Sequence, residues 1–248
     1  MPSFLFHLFL FILFTFSTLM SAQKYNDICK VYFFPGQGSD ERVFQNIELP
    51  AEFECEYISY PAPVKGQSLK QYAWQFIPEI DTSVRYILIG YSLGGMICTE
   101  LTEVLNPEKT IIISSAKSKN ELPTLYTFQR KVPVSKIVPK SLVKAGALIL
   151  QPLVEPDRKK EKEIFVSMLK AKDPLYLKRT SEMIINWQRE RYSDCIIHIH
   201  GDSDHTIPVK NIKYNYLVEG GSHMMVLTRG EEINHLINKI IKDSIVPN

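Results

Sequence analysis

Residues 87–96 read ILIGYSLGGM. Ile87, Leu88 and Ile89 make the unbroken apolar run of a strand buried on both faces. The residues after Gly95, MICTELTEVLN, read as a helix. Only a few residues link the two, so Ser92 falls on a sharp turn between strand and helix. Glycine stands two positions before it and two positions after it, at 90 and 94. A turn this tight leaves no room for side chains there and forces the serine into strained backbone angles. The strain lifts the hydroxyl clear of the sheet. It also places it at a helix N-terminus, whose free N–H groups favour negative charge.

The same alternation of strand and helix runs outward from this stretch. Before it come KVYFFPGQG, a strand entering a glycine turn, and FECEYISYPAP, a strand stopped by Pro61. Between them and RYILIG lies SLKQYAWQFIPEI, with Leu69, Tyr72, Ala73 and Phe76 at helical spacing and Ser68 as N-cap. After it come TIIISSA, CIIHIHGD and NYLVEGGSH as the fourth, fifth and sixth strands. A last helix repeats Ile233, Leu236, Ile237, Ile240 and Ile241. Continuous apolar strands joined by helices predict an α/β fold, a mostly parallel sheet flanked by helices.

Residues 116–194 interrupt the alternation. They show no strand and read as short helices broken by Pro123, Pro133, Pro139, Pro152, Pro156 and Pro174. A structureless loop of that length is uncommon, so a helical cap is expected between the fourth and fifth strands. Its first half, 116–150, carries seven Lys or Arg against one acid, Glu121. These cations either favour anionic substrates or form an ordinary solvated surface.

The 248 residues are 45% hydrophobic, enough for one large domain, residues 23–248. A net charge of +2 argues against nucleic acid as a partner. Residues 4–20, FLFHLFLFILFTFSTLM, are apolar apart from His7 and a few hydroxyls, and SAQKYND follows. This predicts a signal peptide over residues 1–22, cleaved near Ala22, and export to the periplasm or beyond. The segment before it carries no Lys or Arg, and the rival reading is an uncleaved membrane anchor, with membrane association through this apolar stretch. Export permits disulfides. Cys29, Cys55, Cys98 and Cys195 show no CxxC spacing, so no metal is expected. Cys29 and Cys55 fall in two neighbouring strands, but buried free thiols are expected rather than a bridge.

Gly90-Tyr91-Ser92-Leu93-Gly94 is a G-x-S-x-G motif in the strand–turn–helix context that the motif requires. A serine nucleophile needs a base, and the base needs an orienting carboxylate. Of six histidines, His7 is in the leader, His235 falls mid-helix, and His198 and His200 alternate with Ile197 and Ile199 inside a strand. His223, in the glycine loop after the last strand, is the candidate base; His205 is expected at the mouth of the site. Asp202 and Asp204 both follow a strand's C-terminal end, where ligand chemistry sits in open α/β sheets. The backbone N–H groups of Gln37, in the turn after the first strand, and of Leu93 are candidate oxyanion donors.

With these motifs the chain resembles the α/β-hydrolase superfamily. The order of oxyanion turn, nucleophile elbow, acid and histidine is that of the fold. Members often carry H-G-x-x-D-x-x-x-P, and the resemblance places its acid on Asp204 in HGDSDHTIP, residues 200–208. The chain departs from the pattern at Pro35, where a histidine is common, in lacking two leading strands, and in a short interval from acid to histidine. The resemblance implies a serine hydrolase acting on a carboxylic ester or related small acyl substrate. It implies a Ser92–His223–Asp204 triad, an acyl-enzyme and no cofactor. An acyltransferase using the same triad, and a non-catalytic relative that binds a ligand or partner, are the alternatives.

Overall fold

A computed structural model describes residues 29–131, 139, 142, 145, 146 and 161–245. The predicted leader, residues 1–22, lies outside the described residues. Among those described, no helix is long and apolar enough to cross a membrane.

All six expected strands form: β1 (Cys29–Phe34), β2 (Phe53–Tyr57), β3 (Arg85–Tyr91), β4 (Lys109–Ile113), β5 (Ile196–Gly201) and β6 (Tyr216–Val218). They build one sheet in the order β2-β1-β3-β4-β5-β6, and every pairing is parallel. The order jumps outward from β1 to β3, so the crevice at the C-terminal ends of these two strands is the topological switch point. Ser92 and the turn around Gln37 both stand there.

Period-two alternation splits the strand side chains between two cores. Tyr32, Phe34, Leu88 and Ile112 face α1 (Leu69–Trp74) and α2 (Leu93–Leu101) on one side. Val31, Phe33, Ile87, Ile89, Ile111 and Ile113 face α6 (Met225–Thr228) and α7 (Gly230–Ile245) on the other. Ile233, Ile237, Ile240 and Ile241 are fully sequestered there, as the helical spacing predicts, while Leu236 is half-buried. Ser68 caps α1 in a reciprocal box: its Oγ accepts from Gln71 N, and Gln71 Oε1 accepts from Ser68 N.

Between β4 and β5 the described residues hold no strand and include the helices α3 (Thr124–Lys131), α4 (Lys162–Ala171) and α5 (Pro174–Ile185). Pro174 does not break a helix here. It occupies the first position of α5, where its missing N–H costs nothing, and Asp173 caps the turn. The segment returning to β5 is clamped to α2. Glu100 Oε1 accepts from Trp187 Nε1 (2.7 Å) and Arg189 Nε (2.9 Å), and its Oε2 accepts from the same guanidinium (2.7 Å).

Three of the seven cations in the first half of the cap, residues 116–150, are anchors rather than a free basic face. Lys117 is buried, donates to the Lys213 carbonyl and sits over the Tyr192 ring. Arg130 donates to the Ile185 and Trp187 carbonyls, and Lys119 pairs with Glu190. Lys136, Lys140 and Lys144 lie outside the described residues. All four cysteines are unbridged; Cys29 and Cys98 are buried as expected, but Cys55 and Cys195 are exposed. Cys55 shares a strand face with buried Phe53, but it lies on β2, the edge strand of the sheet, and stays exposed there.

Candidate active site

Ser92 adopts φ 52° and ψ −116°, in the left-handed half of backbone space that a non-glycine residue enters at a cost of about 1–3 kcal/mol. The neighbourhood makes this the only way through. A Cβ on Gly90 would lie 2.5 Å from the Gly94 backbone, and one on Gly94 would overlap the Phe34 carbonyl and approach Pro35 O to 2.7 Å. Closure holds the turn: Ser92 N donates to Ile113 O on β4, and Ser115 Oγ donates to Ser92 O.

The strained turn aims the hydroxyl at His223. His223 Nε2 lies 2.9 Å from Ser92 Oγ, and its Nδ1 lies 2.8 Å from Asp204 Oδ2. The second carboxylate oxygen, Asp204 Oδ1, accepts from Thr206 N (2.9 Å) and Ile207 N (2.8 Å). Of the two acid candidates, Asp204 is the one that meets the histidine. Asp202 is exposed and caps the neighbouring loop, its Oδ1 accepting from Gly220 N at 2.7 Å. The loops after β5 and β6 are pressed together at Gly201, where a Cβ would overlap the Gly221 carbonyl. His205 is exposed and makes no side-chain hydrogen bond to Ser92, Asp204 or His223 among the described residues.

The turn after β1 lies against the first turn of α2, as the Gly94 contacts with Phe34 and Pro35 require. Among the described residues the backbone N–H groups of Gln37 and Leu93 have no acceptor within the protein. The Gln37 side chain points into the cap: its Nε2 lies within 2.9 Å of Leu177 O, Thr180 Oγ1 and Ser181 Oγ on α5.

Some members of the site carry no local sequence signal. Tyr91, the variable residue before the serine, tilts its ring against His223 at 5.5 Å and donates to Met224 Sδ. Tyr126 on α3 is half-buried against the core on the α1–α2 side of the sheet, and its phenol is pushed up by burial and by the charge of Asp204. Glu121 is not a catalytic candidate by position. It accepts from Lys117 N and Lys213 N and ties the exit of β4 to the approach to β6.

A parallel sheet of this order, with a serine on the turn after β3 and an acid and a histidine after β5 and β6, gives the chain the fold of the α/β-hydrolase class. Within that class it is similar to a pimeloyl-[acyl-carrier protein] methyl ester esterase of Wigglesworthia glossinidia brevipalpis, 28% identical over 245 residues, covering 85% of this chain and 91% of that one. Solved structures of like fold include a putative non-haem bromoperoxidase from Mycobacterium tuberculosis, with a TM-score of 0.64 at 15% identity, covering 88% of this chain and 93% of that one. A thermophilic esterase from Thermogutta terrifontis gives 0.62 at 13%, covering 88% and 91%. No family model matches the sequence.

Proposed function

We propose that the protein hydrolyses a carboxylic ester of a small acyl substrate through a Ser92–His223–Asp204 triad and an acyl-enzyme. The observation that carries this is the continuous line of hydrogen bonds from Ser92 Oγ through His223 to Asp204. Esterases among the similar proteins support ester hydrolysis as the reaction class.

In the free protein Ser92 Oγ–H donates to His223 Nε2, and His223 Nδ1–H donates to Asp204. As Oγ attacks the ester carbonyl carbon, its proton passes to Nε2 and the carbonyl π electrons move onto oxygen. The N–H groups of Gln37 and Leu93 face this oxyanion. The tetrahedral intermediate collapses, the alkoxide leaves and takes the proton from Nε2. Water then repeats the sequence on the acyl-serine, losing its proton to His223, and the acid departs. Delivery of an alcohol or amine in place of water would make the same site an acyltransferase.

Esters of graded acyl length, assayed beside thioester and acyl-transfer acceptors, test the reading. Turnover of an ester with release of free acid supports it. Product appearing only when an acceptor alcohol or amine is added contradicts it. Export rests on residues 4–22. N-terminal sequencing of the protein from its native producer tests that proposal: a start near Gln23 outside the cytoplasm is expected, and full-length cytosolic protein contradicts it.

A further inference from the structure

β5 presents two histidines, and both are completely buried. They lie end to end behind the triad acid. His200 Nε2 is 2.8 Å from the Ile207 carbonyl, and His200 Nδ1 is 3.1 Å from His198 Nε2. The carbonyl can only accept, so His200 carries its proton on Nε2. Burial holds both rings neutral, well below the ordinary histidine range for His198. His200 Nδ1 therefore accepts, and His198 must donate from Nε2. That assignment leaves His198 Nδ1 as a lone pair, and it has no hydrogen-bond partner.

The Ile207 residue that His200 holds by its carbonyl is the one whose N–H donates to Asp204 Oδ1. Thr206 N–H donates to the same oxygen. The edge of His200 comes 3.7 Å from Asp204 Oδ2, too far for a hydrogen bond. His200 thus touches neither Ser92 nor His223 through a hydrogen bond, yet it fixes the loop that turns Asp204.

We propose that His200 is a positioning residue for the triad acid: by donating to Ile207 O, with its ring held by His198, it closes the 204–207 loop so that Oδ1 is occupied and Oδ2 is left for His223. The proposal rests on the triad reading. Loops at strand ends are normally tied by their own turn hydrogen bonds. This loop has those bonds, from Thr206 N and Ile207 N to Asp204 Oδ1, and a buried side chain from the strand interior adds a further tie at Ile207 O, so the sheet itself helps set the geometry of the acid. Four ionisable groups face His200: Asp204 on its own loop, His198 along β5, His223 across from β6, and Lys117 from the exit of β4.

The test compares His200→Leu, which removes the donor, with His200→Gln, which keeps one. Ester kcat, KM and the acid limb of the kcat/KM profile are measured beside Ser92→Ala and Asp204→Asn. For His200→Leu, kcat falls by about tenfold or more with little change in KM, as for other residues that orient a reacting group from behind. The acid limb moves, because His223 has lost a well-placed carboxylate, and His200→Gln restores much of both. Unchanged kcat and pH profile in His200→Leu, with Ser92→Ala and Asp204→Asn inactive, overturns the positioning role and leaves the triad standing. Activity surviving in Ser92→Ala overturns the triad instead. Nitrogen NMR of the wild-type His200 ring needs no variant to fold: a neutral ring protonated on Nε2 agrees with the proposal, and one protonated on Nδ1 or charged at active pH contradicts it.

Discussion

The two aspartates of the loop after β5 differ in their partners, and that difference sorts them. Asp204 accepts from His223, whereas Asp202 accepts from a backbone amide of the neighbouring loop. Asp204→Asn presents an amide where a carboxylate held the Nδ1–H tautomer, and kcat should fall on the order of 10⁴-fold with the fold intact. Asp202→Asn keeps an acceptor oxygen for Gly220 N and should lose far less. Steady-state kinetics of both variants decides, and the reverse ranking would move the acid to Asp202. Ser92 was legible in the sequence because its signal is local: a strand, two flanking glycines and a helix within ten residues. The placement of Tyr126 was not, because it depends on which face of a cap helix turns inward, and nothing within that helix's own sequence specifies it.

The elements that carry the site were legible from periodicity, and their attachments were not. The six strands and the last helix follow apolar spacing that a single segment displays by itself. The clamp between α2 and the chain entering β5 joins Glu100 to residues almost ninety positions away. Nothing near Glu100 announces that its carboxylate will be buried against Trp187 and Arg189. Lys117 misleads for the same reason: it counts as a surface cation until the Lys213 carbonyl and Tyr192 cover it. Removing the Glu100 carboxylate leaves the buried Trp187 indole N–H without its acceptor and leaves Arg189 held by Glu103 and the Arg191 carbonyl. Glu100→Leu should therefore cost about 1–3 kcal/mol and lower Tm by roughly 2–12 °C. The double variant Glu100→Leu/Arg189→Met should recover part of that loss in thermal denaturation. Full stability in the single variant would show that the pair does not hold the cap's return segment.

At the scale of the whole molecule, the buried histidine pair makes stability depend on pH. Both rings are held below the ordinary histidine range in the native state by burial, and both titrate near 6.5 when unfolded. Above about pH 6.5 neither state takes up a proton at these rings, and they contribute no slope. As pH falls below that value the unfolded chain binds protons that the native one refuses. Stability is then lost by up to about 1.4 kcal/mol per pH unit for each ring, until the native pKa is reached. Denaturant titrations from pH 8 to 5 should show this fall, and His198→Gln should flatten it; an unchanged slope would place the acid sensitivity elsewhere. The molecule as a whole is organised so that strands β3, β5 and β6 deliver Ser92, Asp204 and His223 to one crevice. The central claim is that Ser92 is the nucleophile this arrangement serves. A fluorophosphonate probe tests it most directly: the wild-type protein should be labelled on Ser92, with labelling lost in Ser92→Ala, whereas labelling that persists in Ser92→Ala would contradict the account.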